Sequence, residues 1–223
     1  MKNCMWVVCL LVTPQLAMAC PTGADLEDGI VITVGKKAAP QTHIVRRVVD
    51  DLVWNSQSSA IFPDAWNIYS HGGLFTLFTH RDSGTGQKTN RYDPVLPGMD
   101  EVVPGAAFTM QTTWGDPQGQ KQWSGLLSYE VSENPAIKIG GCIYDSIRVL
   151  INGDVTYPDG TTKSYGRRVV YIPELAFKVG RVALLKVEKV GWFTGGLKDS
   201  GMINQSKTMP DLADVLSAYG VGG

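Results

Sequence analysis

From Gly29 onward apolar side chains recur at every second position, the period of a strand with one buried face rather than the ~3.6 of a helix. Ile30, Ile32 and Val34 alternate with Val31 and Thr33 until Lys36-Lys37-Ala38-Ala39-Pro40 interrupts the run. Residues 42–49 and 51–56 read as the next strands. Trp66-Asn67-Ile68-Tyr69 and residues 74–79 flank Ser70-His71-Gly72-Gly73, a hairpin by turn chemistry because glycine supplies the positive φ of a tight reversal. Residues 107–114 and 120–131 form a second hairpin across Gly115-Asp116-Pro117-Gln118-Gly119. Residues 143–157 and 161–172 form a third across Pro158-Asp159-Gly160, where proline pre-sets the reversal. Tyr171-Ile172-Pro173-Glu174-Leu175 breaks the alternation and residues 177–190 resume it.

Two stretches depart from the strand period. Residues 81–105 hold glycines at 84, 86, 98 and 105 and prolines at 94, 97 and 104, and are expected to form one long irregular loop. Residues 209–219 place Leu212, Val215, Leu216 and Tyr219 on one helical face with Gly220 as a stop. About ten strands joined by short turns imply a mainly β fold, a curved antiparallel meander closed to a half-barrel or open barrel, with a short C-terminal helix. The alternating strand and helix rhythm of a doubly wound α/β fold is missing.

The N-terminus carries a different signal. Lys2 precedes an apolar run over residues 5–12, a Thr13-Pro14-Gln15 break and Ala17-Met18-Ala19, the three-part layout of a secretory signal peptide. The run is shorter than the ~20 residues a membrane-spanning helix needs. Residues 1–19 are therefore expected to be a signal peptide and 20–223 a single β-rich domain, exported to the periplasm with no transmembrane segment after cleavage.

Cleavage would remove Cys4 and Cys9, leaving Cys20 as the new first residue and Cys142 deep in the chain. An even pair in an oxidising compartment reads as a disulfide. The alternative use of Cys20 is lipidation: Leu16-Ala17-Met18-Ala19-Cys20 resembles a bacterial lipobox, with Ala17 where a large aliphatic residue is usual. That would anchor the protein to an envelope membrane and leave Cys142 a free thiol.

Charge narrows the partners. The chain holds 20 Lys and Arg against 21 Asp and Glu. This balance argues against a general affinity for nucleic acid and against a polybasic membrane surface.

Candidate chemistry fails on residue identity or context. Asp82-Ser83-Gly84-Thr85 has the letters of an aspartic-protease turn, but Thr79-His80-Arg81 precedes it instead of an apolar strand end. Gly84-Thr85-Gly86-Gln87-Lys88-Thr89 misspaces a phosphate loop and precedes no apolar helix. Ser70-His71-Gly72-Gly73 is similar to an esterase stretch, yet the chain holds no Gly-x-Ser-x-Gly elbow. His43, His71 and His80 lack the spacing that sets two metal ligands on one face. Cys142 has no nearby basic partner in sequence to make it a nucleophile. No catalytic, cofactor-binding or metal-binding residue is assigned. Trp54, Trp66, Trp114, Trp123 and Trp192 are core candidates that would form a ligand platform if several shared one concave face.

Ile139-Gly140-Gly141-Cys142-x-Tyr144, the Tyr157-Pro158-Asp159-Gly160 turn and the segment Tyr171-Ile172-Pro173-Glu174-Leu175-Ala176-Phe177-Lys178-Val179 resemble the C-terminal half of uncharacterised exported bacterial proteins built on a curved antiparallel sheet. The Tyr-x-Pro-x-Leu segment is similar to one that ends a strand in periplasmic half-barrel domains of the lipoprotein-carrier type. The resemblance covers residues 136–180 and implies a fold more than an activity. The expected role is a non-enzymatic envelope protein that binds an apolar ligand or a protein partner in its concavity. One alternative is a hydrolase of an envelope polymer using Asp50, Asp51, Glu130 or Asp145. Another is a structural or interaction subunit.

Overall fold

The alternation read from the sequence folds as one antiparallel sheet. The computed structural model describes residues 19–36, 39–49, 52–58, 65–70, 73–81, 88–93, 99–115, 121–180 and 184–189. Twelve strands lie among them: β1 (Ile30–Lys36), β2 (Ala39–Val49), β3 (Leu52–Ser58), β4 (Ala65–Ser70), β5 (Phe75–Arg81), β6 (Lys88–Asp93), β7 (Ala107–Gly115), β8 (Lys121–Ile139), β9 (Cys142–Thr156), β10 (Thr162–Ile172), β11 (Phe177–Val179) and β12 (Leu184–Lys189). Each of β1 to β11 pairs with its sequence neighbour, and β12 returns to pair with β1. The result is a strongly curled meander, a half-barrel.

Turn chemistry sets two hairpins, one at the expected Pro158-Asp159-Gly160 reversal and one, not anticipated from the sequence, at Gly140-Gly141. Gly140 has φ 65° in the two-residue turn between the paired Ile139 and Cys142. At the next hairpin Gly160 N–H donates to the Tyr157 carbonyl at 2.9 Å, and Asp159 Oδ1 accepts from Thr161 N–H at 2.9 Å. Pro173 opens a single 3-10 turn over Pro173–Leu175, and Ala176 at φ 47° redirects the chain into β11.

Three expectations need correcting. The stretch 81–105 is not wholly irregular, because Lys88–Asp93 pairs as β6 with β5 and β7. Its sequence Lys-Thr-Asn-Arg-Tyr-Asp has no apolar alternation to reveal it, and the neighbouring backbones supply its ladder. The run 177–190 is two strands at opposite ends of the sheet, β11 on β10 and β12 on β1. Strand β8 continues past residue 131 to Ile139 through a bulge between Asn134 and Ile137, which lets Pro135 sit outside the regular ladder. The expected signal peptide up to residue 18, the turn residues His71 and Gly72, and the expected C-terminal helix lie outside the described residues.

The curl carries edge strand β11 into the interior. The Phe177 ring meets His43 of β2 edge-on at 5.2 Å between centroids, and Lys178 Nζ hydrogen-bonds the Leu74 carbonyl just before β5. The end of the sheet therefore buries both faces. Ile172, Phe177 and Val179 enter one core with Ile30, Ile32 and Val45. Val169 and Tyr171, on the opposite face of β10, enter a second core with Phe75, Met110, Leu127 and Val149. Each fully buried aliphatic or aromatic side chain contributes about 1.5–3 kcal/mol relative to exposure.

The N-terminal segment is fastened to the same end. Cys20 and Cys142 are joined by a disulfide with Cα atoms 5.6 Å apart. The Tyr144 hydroxyl donates to the Pro21 carbonyl at 3.0 Å inside the protein, and Asp25 pairs with Lys189 of β12 at 2.6 Å.

Candidate functional site

Period-two geometry aims every second residue of β10 at the concave side. Val169 and Tyr171 point there, and so do Tyr165 and Arg167 nearer the solvent. Only residues 170–172 of β10 pair with β11, so among the described residues the stretch from Thr162 to Val169 is paired on one side alone. Above the second core the sheet consequently opens into a cavity of about 260 Å³.

Leu127, Val149 and Ile151 form an apolar floor. Tyr129 braces it, stacked on Phe108 at 5.1 Å and tilted against Phe75 at 5.6 Å. Burial pushes the Tyr129 hydroxyl up to about 12, so it stays neutral. Trp114 and Trp123, a cross-strand pair on β7 and β8, lie with rings 5.9 Å apart on the wall, half-buried. Half-buried aromatics on rigid strands give large contact area at little entropic cost.

The polar side of the cavity is cationic. Lys178 Nζ donates to the Leu74 carbonyl and, at 3.0 Å, to Thr76 Oγ1. Burial, with the Arg167 guanidinium adding to it, lowers this amine to about 7. Arg167 stands at the mouth, with Nη2 3.9 Å from where a Cβ on Gly180 would be. No Asp or Glu lines the cavity among the described residues.

A second cavity of about 300 Å³ lies at the N-terminal junction, between Cys20, Cys142 and the β12 residues Lys186, Glu188 and Lys189. Glu188 is already paired with Lys186 there, so its charge is answered within the fold.

The residues singled out in the sequence are dispersed. His43 is part-buried and its Nδ1–H donates one 3.0 Å hydrogen bond to Asn55 Oδ1; burial lowers its pKa, which favours the neutral imidazole. His71, the Asp82-Ser83-Gly84-Thr85 turn, Asp50, Asp51 and Trp192 fall outside the described residues, as do the side chains of His80 and Trp66. Glu130 and Asp145 are both exposed and neither lines the cavity; Glu130 is paired with Leu150, five residues along β9 from Asp145. Trp54 is buried in β3 away from the cavity, whereas Trp114 and Trp123 do share the concave face.

Sequence reasoning missed Arg167 and Lys178. Arg167 had a readable signal, since period two puts it on the inward face with Val169 and Tyr171. Lys178 had none, because β11 is three residues long and its neighbour β5 is distant in sequence.

Comparison with known proteins adds little to this geometry. No family model and no curated protein matches the chain. Among solved structures it is similar to a hypothetical lipoprotein, YmcC, from Escherichia coli K12, with 12% identity, a TM-score of 0.40, and coverage of 74% of this chain and 79% of that one.

Proposed function

We propose that this is an exported binding domain of the bacterial envelope, non-enzymatic, that takes an apolar ligand into the concavity of its curled sheet. The observation that carries the reading is the cavity itself, with an apolar floor of Leu127, Val149 and Ile151 and the Trp114–Trp123 pair half-exposed on its wall. Ligand sites are typically concave, largely apolar and set on rigid elements, with a few placed polar groups. The disulfide between Cys20 and Cys142 supports an oxidising compartment, in keeping with the leader-like N-terminus. An acyl anchor on Cys20 would require the same sulfur, so the periplasmic and membrane-anchored forms are chemically exclusive.

The test uses N-phenylnaphthylamine, a neutral apolar probe whose fluorescence rises when it leaves water. The wild type binds it with quenching of tryptophan emission. Ile151→Trp, which fills the cavity from its floor, abolishes binding while the far-ultraviolet circular dichroism of the sheet persists. Absence of binding by the wild type, or unchanged binding by the filled variant, overturns the proposal.

A further inference from the structure

We infer that the ligand is an amphiphile with an anionic head, its apolar body lying on the cavity floor and its head received by Arg167 at the mouth, in the field of Lys178. The inference rests on the binding role proposed above and adds the chemistry of the ligand.

Three observations support it. The first is charge: the lining holds the permanently cationic Arg167, the Lys178 amine, which is about half protonated near pH 7, and, among the described residues, no carboxylate. An apolar concavity that carries only one sign of charge attracts the opposite sign, and its low-dielectric walls strengthen that field.

The second is placement. Lys178 lies directly across from Tyr171 in the β10–β11 ladder, on the same face as Arg167. Arg167 is four residues further along β10, about 13 Å at ~3.3 Å per residue. Its guanidinium closes part of that gap by reaching over the strand end to Gly180, two residues beyond Lys178. Two cations of separate strands thus converge on one end of the cavity, opposite the tryptophan pair.

The third is division of labour. Lys178 is fastened to Leu74 and Thr76, whereas among the described residues Arg167 forms no ion pair and is solvent-exposed. Its planar fork is suited to a carboxylate or phosphate in two-point contact. The mutual repulsion of the two cations, which helps hold the Lys178 amine low, is relieved when an anion sits between them and solvent.

The same chemistry could reach the site as a free amphiphile or as a membrane lipid, and the experiment has an arm for each. Tryptophan quenching is titrated with decanoate and with decanol, which share a chain and differ by one charge. The wild type is expected to bind decanoate about tenfold more tightly than decanol. Arg167→Gln brings decanoate down to the decanol level and leaves decanol unchanged. In the second arm the protein is incubated with phosphatidylglycerol or phosphatidylcholine vesicles and separated from them. Phosphatidylglycerol carried away with the protein marks a membrane source, and decanoate binding without lipid transfer marks a free one; both uphold the anionic head. Equal affinity for decanoate and decanol in the wild type, or equal loss of both in Arg167→Gln, overturns the inference while leaving the apolar site standing. Failure of both and of N-phenylnaphthylamine removes the apolar site as well.

Discussion

Lys178 Nζ on β11 donates a 3.0 Å hydrogen bond to Thr76 Oγ1 on β5, across 102 residues of sequence, and in doing so seats the edge of the sheet inside its own curl. The contact closes the second core and sets one end of the cavity. It also stations an amine where burial opposes its charge.

That burial has a pH signature. The Lys178 amine is lowered from 10.5 to about 7 in the fold. Between those values the unfolded chain binds more protons than the folded one, so stability rises with pH through this window. The cost of burying the ammonium is fully present below about 7. Urea unfolding of Lys178→Met against the wild type is expected to show a stability difference, variant minus wild type, that falls steadily from about pH 6 to about pH 10. A difference independent of pH contradicts the buried charge.

Gly73 is fixed by geometry. Its φ is 97°, and a Cβ there would stand 1.9 Å from the Ala176 carbonyl oxygen. Gly73→Ala therefore meets backbone strain of about 1–3 kcal/mol and a clash with the turn that launches β11. A lower urea midpoint is expected, together with lost protection of β11 amides in hydrogen exchange. Wild-type stability in this variant contradicts the close approach.

The disulfide closes a loop with a sequence separation of 122 residues. Removing it by Cys142→Ser is expected to cost up to about 4–5 kcal/mol by the chain-entropy relation. The buried bond from Tyr144 to Pro21 and the Asp25–Lys189 pair would then remain to hold the N-terminal segment. Intact mass after export, with and without reductant, reads the chemistry directly. A chain starting at Cys20 that gains the mass of a pair of hydrogens on reduction matches the structure, and added acyl mass contradicts the disulfide.

Much of the architecture was legible because the sheet is a meander. Each hairpin is local, so the Pro158-Asp159-Gly160 turn and the Ile30–Ile32–Val34 alternation declare themselves without knowledge of distant residues. The disulfide was legible from cysteine arithmetic and the leader-like N-terminus. The curl was not, because it rests on contacts such as Phe177 with His43 that join opposite ends of the chain. Nor was β6, whose polar sequence relies on its neighbours' backbones. Of the cavity, the tryptophans were visible as candidates, yet which of them share a face depends on the cross-strand register that pairs Trp114 with Trp123. Of the charged residues, Arg167 could have been read from the period-two pattern it shares with Val169 and Tyr171, whereas Lys178 was hidden because a charge in a three-residue strand reads as solvated until the fold shows what surrounds it.

The most direct test of a ligand-binding concavity is to record the indole N–H resonances of the nitrogen-15-labelled exported protein while N-phenylnaphthylamine is added. Signals from Trp114 and Trp123 are predicted to shift together and saturate, while that of Trp54, buried in β3 away from the cavity, stays in place. Three stationary signals, or a shift at Trp54 as large as at the pair, would contradict the account.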